Sequence, residues 1–476
     1  MLELYDTLSR ERKPVIPEDG DVLRFYCCGP TVYGPAHIGN FRTFVVQDLF
    51  RRVVELGGLK TKHVRNITDV DDKTIRESQA AGQTLEAFTR GWTEQFHADC
   101  EALRLLDPHE EPGAAKHIGE QVALIERLIE RGNAYEGGDG SVYYSVSSFA
   151  GYGKLTRLDT RELQLGAAQT ANDADEYEKD ALADFVLWKA RKPEDGENFW
   201  ESPWGEGRPG WHLECSAMGM RYLGETFDLH GGGIDLCFPH HENEIAQSEA
   251  ATGAEYARHW FHSEHLSVEG QKMSKSLGNL YTLSDIKEKG FTADELRYTL
   301  LAGSYRQKLN FTFDSMHAAH EALGRLAKFA AKLLEEESSL PTYEECVAFG
   351  PIEGDPFRAS WEALLDDLNT AEALGQLFKA AKVVEKALNG GDLDGSAREA
   401  ARRGFGRVVS AFGWVIPQLA EAAPYEVPEE VRELAEKRLM AKEEKDWSQA
   451  DALRNKLAEM GWQIKDSPGG YELEPL

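Results

Sequence analysis

The sequence predicts an α/β fold over its first part, a helical bundle after it and a small α+β unit at its end. Near the start, an apolar run at 22–28 precedes a polar loop and a segment with helical spacing of apolar residues. From residue 315 onward, apolar residues recur on one helical face over many turns. Close to the end, two helical patterns lead to short apolar runs separated by Pro468-Gly469-Gly470, which predicts a hairpin.

The first strand, loop and helix carry the first candidate site, Pro35-Ala36-His37-Ile38-Gly39-Asn40. The helix after the loop has apolar residues at Phe41, Val45, Leu49, Val53 and Leu56, and Gly57-Gly58 ends it. Backbone amides at a helix N-terminus attract phosphate, and an imidazole such as that of His37 can donate a hydrogen bond to phosphate oxygens. The arrangement favours a phosphate site, although a lone histidine after a strand is more often a packed or surface residue.

The second candidate site is the segment Lys272-Met273-Ser274-Lys275-Ser276, between Gly270 and Gly278. Its glycine flanks allow the ammonium groups of Lys272 and Lys275 to close over a leaving pyrophosphate. Two such lysines alone would be typical of a solvated loop. Together with His37, they predict a site that activates a nucleotide.

The two segments, in this order, resemble the HIGH and KMSKS signatures of the class I aminoacyl-tRNA synthetases. The resemblance implies a Rossmann-like nucleotide-binding domain with a connective insertion, and Mg²⁺ bound with ATP. It also implies the catalytic groups at the phosphates, which are His37, Asn40, Lys272 and Lys275. Asn40 departs from the family, which usually has a histidine there, and asparagine keeps a hydrogen-bond donor but cannot carry a charge.

Four further residues form a candidate metal site: Cys28, Cys215, His240 and Glu244. His240 and Glu244 are four positions apart, so they share one face if the segment is helical. Two thiolates, an imidazole and a carboxylate suit zinc better than a hard cation. A buried apolar thiol is the alternative for each cysteine, and it is what we expect of the others, Cys27, Cys100, Cys237 and Cys346.

At the metal site the resemblance becomes specific to the cysteinyl-tRNA synthetase family. It extends along the chain through Asn66-Ile67-Thr68-Asp69, 210–218, 230–235, 240–244, 272–276 and Lys445-Asp446-Trp447. The zinc ligands of that family fall on Cys28, Cys215, His240 and Glu244, which implies one Zn²⁺ per chain.

Zinc explains how such an enzyme tells cysteine from serine. A zinc ion lowers the pKa of a coordinated thiol enough to bind it as a thiolate, whereas a serine hydroxyl is harder to ionise and is a poorer ligand. Pocket size alone would separate the two amino acids poorly. Editing is then unnecessary, and the segment 113–201 looks too short for a hydrolytic domain in addition to its acceptor-end contacts.

The resemblance also assigns a substrate pocket. Its residues would hold ATP and the cysteinyl adenylate: Gly29, Thr31, Thr43, Asn66, Thr68, Trp211, His230, Gly233, Asp235 and Lys275. Trp211 and His230 would close over the amino acid, and Gly233 with Asp235 would hold the ribose. A carboxylate after a glycine run can accept both ribose hydroxyls while the glycines admit the nucleotide closely. An ordinary glycine turn and a core position for Trp211 are the alternatives.

The implied partners are ATP, L-cysteine and tRNA(Cys). The cysteine carboxylate would attack the α-phosphate of ATP, and a ribose hydroxyl of the terminal tRNA adenosine would then attack the adenylate carbonyl. The sequence shows no side chain that must act as general base, and the resemblance implies that positioning and electrostatics carry most of the rate. We expect a cytoplasmic monomer without a membrane contact, since residues 1–10 lack an apolar signal core and six irregularly spaced cysteines make no disulfide framework.

The net charge of −29, from 53 basic and 82 acidic residues, argues against a nucleic-acid partner. The objection weakens because binding responds to the local potential within a Debye length of about 8–10 Å, not to the whole chain. Two basic groups are either local tRNA contacts or solvated helix faces: Arg398, Arg402, Arg403 and Arg407, and Lys437, Arg438, Lys442 and Lys445.

The expected organisation has six segments. They are the first half of the catalytic domain at 1–112, a connective acceptor-end insertion at 113–201, the second half of the catalytic domain at 202–255, a linker domain with the Lys272 loop at 256–312, a helical bundle at 313–425 and an anticodon-binding module at 426–476. Within the last segment, the resemblance places Trp447 and Asp451 at the anticodon.

Two other functions share parts of this pattern. A cysteine ligase that acts on a glucosaminyl-inositol substrate has the same zinc and nucleotide motifs, but that family ends near the helical bundle and lacks the terminal module. A tRNA-binding paralogue without catalysis would need neither Lys275 nor a complete ligand set. Because the sequence has the module, the lysine and all four ligands, it favours the synthetase.

Overall fold

The computed structural model describes residues 1–157, 184–274, 277–334, 339–416, 428–467 and 470–475. The chain forms two compact units, Met1–Ile416 and Pro417–Leu476. Lys275, which the sequence predicts at the triphosphate, lies outside the described residues.

The first unit begins with alternating strands and helices. Its described strands are β1 (Glu3–Asp6), β2 (Glu11–Pro14), β3 (Val22–Cys27), β4 (Lys60–Arg65), β5 (Ala134–Glu136), β6 (Val142–Tyr144), β7 (Phe185–Ala190), β8 (Gly207–Pro209), β9 (Leu229–Gly233), β10 (Trp260–Ser263), β11 (Leu266–Val268), β12 (Gln271–Lys272) and β13 (Leu309–Phe311). The α-helices up to β13 are α1 (Ile38–Leu56), α2 (Asp72–Ala80), α3 (Leu85–Ala102), α4 (Ile118–Glu130), α5 (Trp211–Leu223), α6 (Glu242–Thr252), α7 (Leu283–Glu288) and α8 (Ala293–Leu301).

A four-stranded parallel sheet forms the centre of this unit, with strand order β10-β9-β3-β4. Parallel neighbours need a crossover, and α1 supplies the one from β3 to β4. That helix ends at Leu56 with Gly57 as its C-cap, as the apolar spacing predicted. The Rossmann-like sheet predicted from the sequence is therefore confirmed, and its strands end together at the edge where such folds bind ligands.

A second sheet, antiparallel with strand order β5-β6-β7-β8, forms the insertion. It packs on α4 and α5 through a core that includes Leu128, Tyr144 and Leu187. Because β8 pairs with β7, this sheet extends to Pro209, past the expected end of the insertion at residue 201.

A helical bundle completes the first unit. Its described helices are α9 (Phe313–Leu333), α10 (Tyr343–Val347), α11 (Arg358–Leu365), α12 (Thr370–Gly390) and α13 (Gly395–Phe412). The helical pattern is interrupted between α11 and α12, where Asp367 and Leu368 have positive φ. This turn lets the Asp367 carboxylate accept hydrogen bonds from the Tyr5 amide and the Tyr305 hydroxyl.

The first basic group lies on α13, and its arginines serve the bundle itself. Arg407 forms a buried ion pair with Asp355, at 2.6 Å. Arg402 pairs with Glu399 on the same helix, and Arg398 donates to the Leu333 carbonyl. These contacts favour the structural interpretation of this group over a tRNA contact.

The second unit contains two helices and a hairpin. Their bounds are α14 (Glu429–Glu443), α15 (Trp447–Glu459), β14 (Trp462–Ser467) and β15 (Gly470–Pro475). The strands pair antiparallel, which confirms the predicted hairpin. The hydrophobic core of the second unit includes Val431, Leu434, Leu457 and Ile464. In the described parts of both units, no helix is long and apolar enough to cross a membrane.

Candidate active site

Two residues of the first motif, His37 and Asn40, cap the N-terminus of α1. His37 is the N-cap, and its Nδ1 accepts a hydrogen bond from the Asn40 amide at 3.2 Å. The Asn40 side chain returns the contact, because its Oδ1 accepts from the His37 amide at 3.0 Å. Burial lowers the pKa of His37, so the ring is neutral, and an accepting Nδ1 leaves its proton on Nε2. Asn40 therefore replaces the family's usual histidine as a capping residue.

The two sequence motifs meet in the structure. The amide of Ile38 donates to the Tyr281 carbonyl at 2.9 Å, which ties the start of α1 to the chain just beyond the lysine loop. A Cβ built on Gly39 would lie 3.2 Å from the Met273 sulfur. The segment that contains Lys272 thus lies beside the N-terminus of α1, as expected for groups that act on one triphosphate.

The Asn279 side chain forms hydrogen bonds with the backbone of the segment that contains Lys272. Its Nδ2 donates to the Lys272 carbonyl at 3.1 Å, and its Oδ1 accepts from the Ser274 amide at 2.8 Å. Asn279 was absent from the sequence-based predictions. An asparagine shortly after Gly278 was the available signal, because asparagine side chains often bond nearby backbone.

The four predicted metal ligands come from four different places in the chain and lie together. Cys28 follows β3, Cys215 lies on α5, His240 lies in the turn before α6, and Glu244 lies on α6. One ligand atom from each is within 4.8 Å of all the others, and all four residues are buried. The Cys28 and Cys215 sulfurs are 3.9 Å apart, and His240 Nε2 is 3.1 Å from Glu244 Oε1.

Burial and the contacts between these groups shift their pKa values. Burial raises the pKa of Cys28 well above that of a free thiol. Burial also raises the pKa of Cys215, but the hydrogen bond with Cys28 and the nearby His240 outweigh it and lower that pKa to about 6. Burial raises the pKa of Glu244, but His230 and His240 lower it to about 2. Two sulfurs, an imidazole and a carboxylate that share one buried space fit a zinc ion.

A second ligand set overlaps the first. Cys28 and Glu244 also lie within 4.8 Å of ring nitrogens of His230 and His241. His230 Nε2 is 2.8 Å from Glu244 Oε2, and this histidine is fully buried. His230, which the sequence predicts to close over the amino acid, thus contacts the Glu244 carboxylate. A partner of this kind orients a ligating carboxylate.

A small pocket opens at the predicted metal ligands. It is lined by Cys28, Gly29, Thr31, Asn66, Thr68, Trp211, Glu214, Cys215, Leu236 and His240. The Trp211 ring packs on the His240 ring, with centroids 4.4 Å apart. Gly29 is required by close packing, since a Cβ there would overlap the Asn66 carbonyl oxygen. Three of the predicted metal ligands and five of the residues predicted for the substrate thus line one pocket.

Glu214 is a pocket residue that the sequence analysis missed. The Thr68 hydroxyl donates to its carboxylate, and the residue is buried. Burial raises the pKa of Glu214 well above its usual range. The signal in the sequence was a charged side chain between Leu213 and Cys215, directly before a predicted metal ligand.

The residues predicted for the ribose, Gly233 and Asp235, lie at the carboxyl end of β9 and directly after it. A Cβ on Gly233 would overlap the Asp235 carboxylate and lie 3.5 Å from Thr43 Oγ1. Thr43 Oγ1 is in turn 2.9 Å from the Ser263 hydroxyl. Asp235 is close enough to His37 to act on its pKa. The ribose residues and the phosphate residues therefore adjoin one another.

The chain is similar to known proteins over its whole length. Residues 15–321 match the family described as tRNA synthetases class I (C) catalytic domain, and residues 361–413 match the DALR domain. A methionyl-tRNA synthetase from Mycobacterium tuberculosis, in complex with methionyl-adenylate, superposes with a TM-score of 0.58 over 83% of this chain and 90% of that chain. At 15% sequence identity, this likeness shows the fold alone.

Curated relatives are much more similar. A cysteine–tRNA ligase from Opitutus terrae is 53% identical over 100% of this chain and 99% of its own length. The cysteine–tRNA ligase of Chlamydia muridarum is 42% identical over 100% of both chains, and that of Solibacter usitatus is 44% identical over 98% of both. Identity at this level, across both units and the site between β3 and α6, shows that the chain belongs to the cysteine–tRNA ligase family of class I aminoacyl-tRNA synthetases.

Proposed function

We propose that this protein charges tRNA(Cys) with L-cysteine in two ATP-dependent steps. In the first step, a cysteine carboxylate oxygen attacks the α-phosphorus of ATP, so that cysteinyl adenylate forms and pyrophosphate leaves. In the second, a ribose hydroxyl of the terminal tRNA adenosine attacks the adenylate carbonyl and AMP leaves. The observation that carries the proposal is the pocket in which a soft-metal ligand set adjoins the residues of a nucleotide site.

Cys28, Cys215, His240 and Glu244 would hold one zinc ion per chain. When bound there, zinc supplies a Lewis-acid position that accepts the cysteine sulfur as a thiolate and disfavours a serine hydroxyl. The chain contributes the orientation of the ligands: His230 holds the outer oxygen of Glu244 and Trp211 packs on the His240 ring.

The phosphate end of the pocket would work by positioning. His37 is neutral with its proton on Nε2, so it can donate to a phosphate oxygen as charge develops. Lys272, and Lys275 by its place in the sequence motif, would offset the charge of the leaving pyrophosphate, and Mg²⁺ would accompany ATP. Asp235 would accept the ribose hydroxyls beside Gly233 and Thr43. Asn40 acts through His37, which supports a positioning role for it.

The second unit would recognise the anticodon of tRNA(Cys). Trp447 and Asp451 are both exposed and stand four residues apart on α15, so they share a face. An exposed tryptophan is available to stack on a base. The segment bounds given above, from the catalytic halves to the anticodon module, are part of the same proposal, with the sheet of the insertion reaching Pro209, and so is a monomeric enzyme in the cytoplasm. The presence of a second unit weighs against the glucosaminyl-inositol ligase.

Pyrophosphate exchange tests the proposal directly. Purified protein should exchange labelled pyrophosphate into ATP only when cysteine is present, and it should then aminoacylate tRNA(Cys). A non-catalytic paralogue would give no exchange with any amino acid. A ligase for a different acceptor would give exchange but no aminoacylation.

A further inference from the structure

We infer that Glu214 binds the α-ammonium group of the substrate cysteine. The inference rests on the proposed function, because it takes cysteine as the amino acid in the pocket. Glu214 lies on α5 directly before Cys215, is 2% exposed, and lines the same pocket as the metal ligands. Its role is separate from theirs, because its carboxylate is bound by Thr68 and belongs to neither ligand set.

The first argument is the balance of charge. Glu244, in the neighbouring ligand cluster, has the ring nitrogens of His230 and His240 within 3.1 Å of its carboxylate. Glu214 differs, since no lysine, arginine or histidine of the described residues forms an ion pair with it. Its Oε1 accepts from the Thr68 hydroxyl, and within the described part of the chain no hydrogen bond reaches its Oε2. Glu214 thus lines the pocket with one carboxyl oxygen unoccupied and no cationic side chain paired with it, so a cation carried by the substrate can take that place.

The second argument is position. In free cysteine, the ammonium is attached to Cα, between the side-chain sulfur and the carboxylate that reacts with ATP. The sulfur is expected at Cys28 and Cys215, and the carboxylate toward the phosphate residues near His37. Glu214 is the chain neighbour of Cys215 and lines the same small pocket as Cys28 and Thr68, so its carboxyl group adjoins the expected sulfur position, next to which the ammonium-bearing Cα must lie.

The orientation of the carboxylate is fixed before substrate arrives. Thr68 Oγ1 donates to Glu214 and accepts a hydrogen bond from Asn66 Nδ2 at 3.1 Å. The Asn66 Oδ1 in turn accepts from the Gly29 amide at 2.8 Å. This chain of contacts holds one oxygen of Glu214 and leaves the other for a ligand. Such preorganisation is what a site needs in order to reject a molecule that lacks the matching group.

The inference predicts selectivity for a primary ammonium next to the carboxylate. The matched probe is 3-mercaptopropionate, which keeps the thiol and the carboxylate of cysteine and lacks only the amine. An amine-binding carboxylate should favour cysteine strongly, because the analogue leaves Glu214 buried without a partner. A carboxylate that merely supports Thr68 would treat the two ligands alike.

The experiment measures binding of both ligands to the full-length, zinc-loaded protein by calorimetry. Wild-type protein should bind cysteine roughly tenfold or more tightly than 3-mercaptopropionate. Glu214→Gln keeps an acceptor for Thr68 and removes the charge, so it should lose roughly tenfold or more in cysteine affinity while the analogue binds as well as before or better. Glu225→Gln, an exposed glutamate outside the pocket, is the matched control and should change neither affinity.

Three results would overturn the inference. Equal affinities for the two ligands in the wild-type protein would do so without any variant, which covers the case that Glu214→Gln does not fold. Equal losses for both ligands in a folded, zinc-containing Glu214→Gln protein would indicate a structural role. An unchanged preference for cysteine in that variant would do the same. Cysteine-dependent pyrophosphate exchange by the wild-type protein separates these outcomes from a failure of the proposed function, which would abolish it.

Discussion

The sulfur atoms of Cys28 and Cys215 lie 3.9 Å apart although 187 residues separate them in the chain. The end of β3 and the first turns of α5 are brought together by the parallel sheet. Both sulfurs are free of disulfide bonds and buried. Two thiols at such a distance, with an imidazole and a carboxylate beside them, fit one soft metal ion rather than a packed core.

Substitution of one sulfur tests this relationship. Cys215→Ser should reduce the zinc content below about one ion per chain and weaken cysteine binding much more than ATP binding, because the hydroxyl is a poorer ligand for zinc. Metal analysis and separate titrations with cysteine and ATP measure the two effects. Cys346→Ser, in the helical bundle, is the matched control and should retain its zinc. Unchanged cysteine affinity in a zinc-free Cys215→Ser protein would contradict the assignment.

The loop that contains Lys272 should depend on Asn279. Asn279→Ala removes both side-chain contacts with the loop base, so the rate of cysteine activation should fall by roughly tenfold while cysteine affinity stays near wild type. Asn279→Asp keeps the acceptor for the Ser274 amide and loses the donor to Lys272, so an intermediate rate is expected. Single-turnover formation of the adenylate is the measurement. If both variants react at the wild-type rate, the contacts do not position the loop.

The pH dependence of stability should reveal the ion pairs around Asp48. Burial raises the pKa of this carboxyl, but Arg52 and Arg297 outweigh it and lower the pKa to about 2. A carboxyl whose pKa is lower in the folded state stabilises the fold above its unfolded pKa of about 3.9, and that contribution is lost as the pH falls toward 2. Asp48→Asn should therefore destabilise the protein by about 3–5 kcal/mol at pH 7 and by less at pH 3.5.

Urea unfolding of Asp48→Asn and wild-type protein at pH 7 and pH 3.5 measures this difference in the free energy of unfolding. Subtracting the wild-type value at each pH removes the contribution of the other titrating groups. Asp21→Asn is the surface control, because Asp21 and Lys60 form an exposed pair, and its midpoint should stay near that of the wild type. A gap between Asp48→Asn and wild type that is the same at pH 7 and pH 3.5 would show that the Asp48 charge is not the cause.

Local patterns in the sequence predicted much of this molecule. The apolar run of β3, the helical spacing of α1 and its glycine end depend on neighbouring residues, and the structure agrees with them within a residue or two. The terminal hairpin was readable from turn residues for the same reason. The four proposed metal ligands were found because their motifs resemble those of a known family, not because their spacing implies proximity.

Contacts between distant residues account for what was missed. In the sequence, only its place before Cys215 distinguishes Glu214 from other helical glutamates. Its contact with Thr68 and its position in the pocket appear only in the structure. The turn after α11 depends on Tyr5 and Tyr305, which are far away in sequence. The contact between His230 and Glu244 joins β9 to α6, and no property of the sequence around His230 indicates it.

The exposed tryptophan of the second unit gives a prediction about tRNA. Trp447 is 60% exposed and is no part of the core of that unit. Stacking on an anticodon base is worth about 1–3 kcal/mol, so Trp447→Ala should reduce aminoacylation efficiency roughly tenfold or more and leave pyrophosphate exchange near wild type. Leu457→Ala, in the core, is the control for unfolding of the unit. In a cycle with an anticodon-substituted tRNA, full additivity for a folded Trp447→Ala protein would reject direct recognition.

Discrimination between cysteine and serine tests the central claim most directly. The account requires that the pocket reads the side-chain sulfur through a metal held by Cys28, Cys215, His240 and Glu244. Zinc-loaded protein should therefore catalyse cysteine-dependent ATP–pyrophosphate exchange at a rate at least about a hundredfold above that with equimolar serine, and removal of zinc should abolish the preference. Equal exchange with the two amino acids, or an undiminished preference for cysteine in the zinc-free protein, would contradict it.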